Sequence, residues 1–286
     1  MALPRTAQPL AQRSGAPPVR RSAVARRGAK RAARPWPLPL GTLAAVLLAV
    51  ELIIRSGAVG NQFPTVTAVV AALAGQLAEG GFWASIGETV QSWLLGFAIA
   101  ALLAVPLGLV LASTRFLFRS TRLVIDFLRP IPPVAVLPLA VLLLGTGSEM
   151  KIWLVAFSAL WPVLFQTVYG AQDVDPVARD TARAYGLNRL SQYRHVVLPG
   201  AAPYIATGLR LATTVALVVT IATELIVGSS GLGYRINQVR YANEIPQMYA
   251  LILVAGVLGW LSTVVFRALE RRVLHWHPSQ RQEAVR

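Results

Sequence analysis

The chain has 286 residues, 55% hydrophobic and only 14% charged, with a mean hydropathy of +0.56, no cysteine and a formal net charge of +15. Soluble domains carry about a quarter charged residues, so this composition belongs to an integral membrane protein. The absence of cysteine excludes a disulfide scaffold, a thiolate metal site and a cysteine nucleophile.

Much of the positive charge lies in the first 35 residues, in Arg20, Arg21, Arg26, Arg27, Lys30, Arg31 and Arg34, with no acid among them. No aromatic residue is interleaved before Trp36, which argues against a nucleic-acid platform. Residues 1–37 read as a disordered basic cytoplasmic tail obeying the positive-inside rule. A transit peptide shares the Arg-rich, acid-poor character. A secretory signal does not fit, because no small-residue cleavage site cleanly follows the apolar run.

A bilayer-spanning helix needs about 20 mostly apolar residues. Six stretches qualify: about Pro39 to Ile54, short and interrupted by Glu51; Val90 to Leu111; Leu123 to Leu144; Ile152 to Tyr169; Ala201 to Val227; and Tyr249 to Leu269. The expected fold is all-α, with six transmembrane helices in residues 38–275 and a cytoplasmic tail at 276–286. An Ala-rich amphipathic pattern after Pro64 predicts a helix at the outer interface that leads into span two. With both termini inside, the inner side collects the N-terminal run, Arg115, Arg119, Arg122, Arg179, Arg183, Arg189, Arg194, Arg267, Arg271 and Arg272. The outer side holds Arg55, Lys151, Arg235 and Arg240. Span three carries Pro130, Pro132, Pro133 and Pro138, which predict a kink, in a span that lines the path or in one bent for packing alone. Arg129, one turn after Asp126, falls at the cytoplasmic mouth, as an anion attractor or as half of an ion pair.

Between spans four and five, at about 171–199, the polar stretch DTARAYGLNRLSQYRHVVLP interrupts the apolar pattern. Asp175 is a good N-cap, Pro176 suits the first helical position, and Gly186 can end a helix in the left-handed conformation. A short helix over Pro176–Tyr185 is predicted, with a bare surface around Ala178, Thr181 and Ala182. A second helical piece follows, and Pro199 begins a turn into span five.

This stretch resembles the cytoplasmic motif of ABC importer permeases: Glu-Ala-Ala, three residues, Gly, nine residues, Ile, any residue, Leu-Pro. Here it reads Asp180-Thr181-Ala182, three residues, Gly186, nine residues, Val196, Val197, Leu198-Pro199. The spacing matches throughout, with Asp for Glu and Thr for Ala. The likeness runs from about Leu38 to about Trp276. Through FLRPIPPVAVLPLAVLLLGTG, ATELIVGSSGLGYRI and RALERRVLHW it looks like the nitrate, taurine and aliphatic sulfonate branch.

The resemblance implies a type I ABC importer permease with the MetI-like fold in a bacterial inner membrane. It also implies a homodimeric pathway, two cytoplasmic ATPase subunits docked on the coupling loops, and a periplasmic or lipid-anchored binding protein. The cargo would be a small anion moved by alternating access.

No GxxxxGK followed by Ser or Thr occurs, so no P-loop is present; ATP and magnesium would be used by the partner subunit. The chain is expected to be no enzyme, with no catalytic or metal site and no cofactor of its own. His195, His275 and His277 are the only histidines, all outside the spans, which opposes an intramembrane protease or metal enzyme. Within span five, Glu224 reads as a gate or as a structural partner of a cation such as Arg235. Thr213 and Thr220 read as pathway hydroxyls or as interhelical donors. The rivals are a permease for another small solute and a secondary transporter, which would place ion-coupling acids near the midplane.

Overall fold

The computed structural model describes residues 37–274 except 59, 61, 129 and 229. The basic tail, His275, His277, the C-terminal tail at 276–286 and Arg129 lie outside the described residues. The chain divides into two units, between Ala45 and Val46. Of the first unit only the opening turns of the first helix are described, and the helices from α2 onward all belong to the second.

All regular structure among the described residues is helical, as a membrane interior demands: only a helix satisfies its backbone hydrogen bonds within one segment. The elements are α1 (Pro37–Arg55), α2 (Val66–Leu77), α3 (Gly80–Ala112), α4 (Arg115–Leu128), α5 (Pro133–Leu144), α6 (Ser148–Gln172), α7 (Pro176–Ala184), α8 (Arg189–Gln192), a π-turn (Tyr193–Val197), α9 (Leu198–Val227), α10 (Leu232–Tyr241) and α11 (Ile245–Val273). Among the described residues, four helical stretches are long and apolar enough to cross a membrane: α3, α6, Arg189–Val227 and α11. α4 and α5 pass the same test only as a pair, bent by 89°, which is the geometry of a broken span or of a re-entrant loop. With the 19-residue α1, these correspond to the six expected spans.

α6 is the central helix, packed against α3 on one side and α9 on the other. Small residues permit the close approach, as in membrane bundles where van der Waals contact replaces the hydrophobic drive. A Cβ on Gly96 of α3 would sit 2.6 Å from Val155 Cγ1 of α6. One on Gly208 of α9 would sit 2.8 Å from Gln166 Cβ and 3.0 Å from the Pro162 carbonyl. Around these contacts Ala100, Ala104, Leu154, Val155, Ala159, Val163, Ala212 and Ala216 form the main core. A second cluster, at the end of the bundle holding α10, joins Phe82, Leu232, Ile236, Val239 and Leu251.

Two expectations are corrected. Span three is no single kinked helix: α4 and α5 meet at 89°. Pro132 caps α5 and Pro133 occupies its first turn, so the consecutive prolines deny the backbone the donors needed to continue α4. Pro199 begins no turn either. α8, the π-turn and α9 run on as one helical segment, with the Leu198 N–H bonded to the Tyr193 carbonyl five residues back. The widened turn just ahead of Pro199 gives the chain room where a proline ring would crowd the preceding turn. The helix expected after Pro64 is α2, capped by Thr65 and packed on α11. Glu51 of α1 is tied to its start, accepting from Arg55 Nε at 2.7 Å and Thr67 Oγ1 at 2.8 Å.

Candidate functional site

The loop between α6 and α9 is ordered by its own polar residues. Asp175 Oδ1 accepts the Val177 N–H at 2.8 Å and caps α7, satisfying one of the donors that a helix start leaves open. α7 ends at Ala184. Gly186 follows at φ 75, and the Leu187 N–H reaches back to the Ala182 carbonyl at 3.1 Å. This closure needs a left-handed residue, which glycine adopts without steric cost. Asn188 then caps α8 through the Ser191 N–H at 2.8 Å, and Gln192 Nε2 donates to the Leu187 carbonyl at 2.8 Å.

The loop is fastened to both adjoining spans. Arg179 donates to the Ala171 carbonyl in the last turn of α6. Tyr204 of α9 donates to Asp173 Oδ2 at 2.7 Å. Ala171, Val197, Ala201 and Ile205 make a small core beneath the loop, with Val174 and Tyr193 packed against it. A displacement of α7 therefore reaches α6 and α9 through short covalent and packed links.

The motif residues divide by direction. Asp180 and Thr181 are exposed, and Asp180 Oδ1 accepts from Arg183 Nη1 at 2.9 Å. Ala182 is only 6% exposed and faces inward, so the bare surface is limited to Ala178 and Thr181. Val196 is half-buried, Leu198 and Pro199 are exposed, and Val197 between them is the residue that enters the core. The loop also exposes Val177, Leu190 and Tyr185, the last at 81%.

At the opposite end of α6 and α9 lies a buried charge cluster. Glu224 is 1% and Lys151 2% exposed, with Lys151 Nζ 3.5 Å from Glu224 Oε1. The ammonium also donates to Ser230 Oγ at 3.1 Å and to the Ser230 carbonyl at 3.2 Å. Thr89 Oγ1 of α3 lies 2.8 Å from Glu224 Oε2 and accepts the Leu232 N–H at 2.8 Å. The Gly233 N–H donates to Glu224 Oε2 at 3.0 Å. A Cβ on Gly231 would collide with the Glu224 carboxylate. Residues from α3, α6, α9 and the turn into α10 thus meet on one carboxylate, and burial is tolerated because the charge is both paired and hydrogen-bonded.

The cation partnering Glu224 is Lys151 rather than Arg235. Arg235 faces the corner between α2 and α3, pairing with Glu79 and donating to Gln76 Oε1 at 2.9 Å. Lys151 and Thr89 had no local signature, being 73 and 135 residues from Glu224; a lone Lys in the first turn of an apolar span was the available signal. Arg210 and Glu270, 3.4 Å apart between α9 and α11, form a further pair that span boundaries did not single out. Thr213 and Thr220 are buried inside the chain's own packing, and Thr220 Oγ1 donates to the Ala216 carbonyl at 2.8 Å. Thr214 is the exposed threonine on this helix. Asp126 pairs with Arg122 at 3.3 Å.

A family profile described as "Binding-protein-dependent transport system inner membrane component" matches residues 104–275. The chain is 33% identical over 247 residues to the putative aliphatic sulfonates transport permease protein SsuC of Escherichia coli, covering 86% of this chain and 92% of the relative. It is 30% identical over 195 residues to the taurine transport system permease protein TauC of the same organism, covering 68% and 71%. Against the nitrate import permease protein NrtB of Synechocystis sp. the figures are 29% over 180 residues, covering 63% and 66%. Among solved structures, an inward-facing conformation of the MetNI methionine ABC transporter superposes with a TM-score of 0.59 at 19% identity, covering 68% of this chain and 99% of that one. At that identity the likeness speaks to fold alone.

Proposed function

We propose, given that this chain belongs to the binding-protein-dependent transport system inner membrane components and is the permease subunit of an ABC importer, that its cargo is a small sulfonate or oxyanion: an aliphatic sulfonate, taurine or nitrate. Permeases of this kind work in a complex with ATPase and substrate-binding partners. Here two copies would form the pathway in a bacterial inner membrane, with both termini and the α7 loop in the cytoplasm. Two ATPase subunits, holding ATP and magnesium, would seat on α7.

The observation that carries this reading is the build of the α7 loop. Its outward side offers Val177, Tyr185 and Leu190 to a partner, while its inward side is fastened to α6 and α9. When the ATPase dimer closes, the paired loops approach, and each carries the near ends of α6 and α9 with it. Close packing at Gly170 and Gly208 makes these two helices move as one body. The Lys151–Glu224 pair joins their far ends to α3 and α10. The pathway between the two copies is thereby switched from inward-facing to outward-facing, and ATP hydrolysis drives reorientation, with no covalent step on the cargo.

Thr213, Thr220 and Glu224 act in this reading as internal structure of the moving body, and selectivity rests largely with the binding protein. The test is growth of a deletion strain on sulfate, taurine, longer alkanesulfonates or nitrate as the single sulfur or nitrogen source. Loss of growth on one sulfonate or on nitrate, restored by the gene, supports the cargo class. Unimpaired growth on all of them in a strain without a second such importer refutes it.

A further inference from the structure

Beneath α7 two adjoining cavities of about 550 and 470 Å³ share Ser113, Arg179 and Arg183. Arg119 of α4 lines one and Arg189 of α8 the other. Each cavity is therefore lined by three arginines, four in all, against one carboxylate, Asp180, which is already paired with Arg183. Arg119 and Arg189 form no ion pair among the described residues. Arg179 holds the Ala171 carbonyl with one nitrogen, while its buried Nε has no partner among the described residues. A buried donor left unmatched beside surplus positive charge is suited to an oxyanion, which arginine binds through several N–H groups at once.

The neighbouring surface selects the source of that oxyanion. On α4, Phe116 and Leu123 stand three residues before and four after Arg119, on the same helix face, and each is 80% exposed. Positions three and four apart on a helix are adjacent, so the cationic cavity opens directly onto an apolar strip. A polar end rich in arginine with an apolar face beside it is the arrangement that holds a lipid at the bilayer boundary.

We infer that this cavity binds the phosphate headgroup of an anionic phospholipid, whose acyl chains lie over Phe116 and Leu123. The lipid would sit between α4 and the coupling loop, where it steadies the loop's position. The inference rests on the membrane-spanning fold and is independent of the cargo.

The test is native mass spectrometry of the full chain, purified with its ATPase partner and exposed to equimolar phosphatidylglycerol and phosphatidylcholine of matched chains. Phosphatidylglycerol should be retained preferentially. Arg119→Gln should weaken that preference roughly fivefold, and the Arg119→Gln/Arg189→Gln pair more than tenfold, the scale set by one surface cation per substitution. Arg122→Gln, whose side chain is absent from the cavity lining, should leave it unchanged. Arg119 is exposed, so its replacement leaves folding intact if the pair does not. Equal retention of the two lipids, or a preference that survives Arg119→Gln, would overturn the site. Displacement by inorganic phosphate would overturn the lipid assignment in favour of a soluble oxyanion. An adduct retained by the permease stripped of its ATPase but absent from the complex would overturn it in favour of a protein contact. Lipid retention is read without transport, so failure of the cargo assignment leaves this outcome untouched.

Discussion

Replacing Lys151 by Met removes the cation from a carboxylate that stays buried. At 3.5 Å, and with an effective dielectric constant of about 20, the Coulomb attraction is about 5 kcal/mol. The carboxylate keeps the Thr89 hydroxyl and the Gly233 N–H, so part of its stabilisation survives. Removing one partner of a buried pair costs about 3–5 kcal/mol, and the retained donors put this case near the lower bound. For a chain of this size that corresponds to a fall in melting temperature on the order of 10 °C. Glu224→Gln alone should cost a similar amount, because it leaves the ammonium buried with the neutral acceptors of Ser230 and the new amide but no counter-charge. In the double variant neither charge is orphaned, so its loss should be well below the sum of the two. The assay is a double-mutant cycle on thermal unfolding of the detergent-solubilised protein. Single losses that add to within about 0.5 kcal/mol would refute the coupling.

The α7 loop and the helices it joins yield three further expectations. Gly186→Pro should leave membrane insertion intact and abolish ATP-driven uptake, because proline cannot adopt φ 75; wild-type uptake in proteoliposomes would contradict the coupling role. A cysteine at Tyr185 should cross-link to the ATPase subunit in this cysteine-free chain, whereas one at the inward-facing Ala182 should not; equal yields on a gel would show that the loop docks with the other face. Gly208→Val should force α6 and α9 apart and cost about 1–3 kcal/mol, visible as a lower melting temperature together with slower uptake; an unchanged melting temperature would show that the contact yields freely.

Local signals were strong at the loop. The Asp175–Pro176 start and Gly186 are each read from one residue's own backbone preference, and α7 lies within one residue of its expected span. Signals that depend on partners were weaker. Pro199 alone reads as a breaker, yet the π-turn before it absorbs the disruption. Thr213 and Thr220 read as pathway hydroxyls or as interhelical donors, because a sequence shows polarity without direction; in the fold both are buried within the chain.

A helical membrane protein with a capped polar loop between two of its spans is legible from the amino acids alone. Composition, run length and caps act over a few neighbouring residues and leave their mark wherever they occur. Tertiary packing was needed to pair Glu224 with Lys151 and Thr89 rather than with nearby Arg235. It was needed too for Ala182 to anchor the loop while Tyr185 is left to meet a partner. Those choices turn on which helices lie side by side and on how each is rotated about its axis. Small residues such as Gly96 and Gly208 set that packing across distances no local pattern spans.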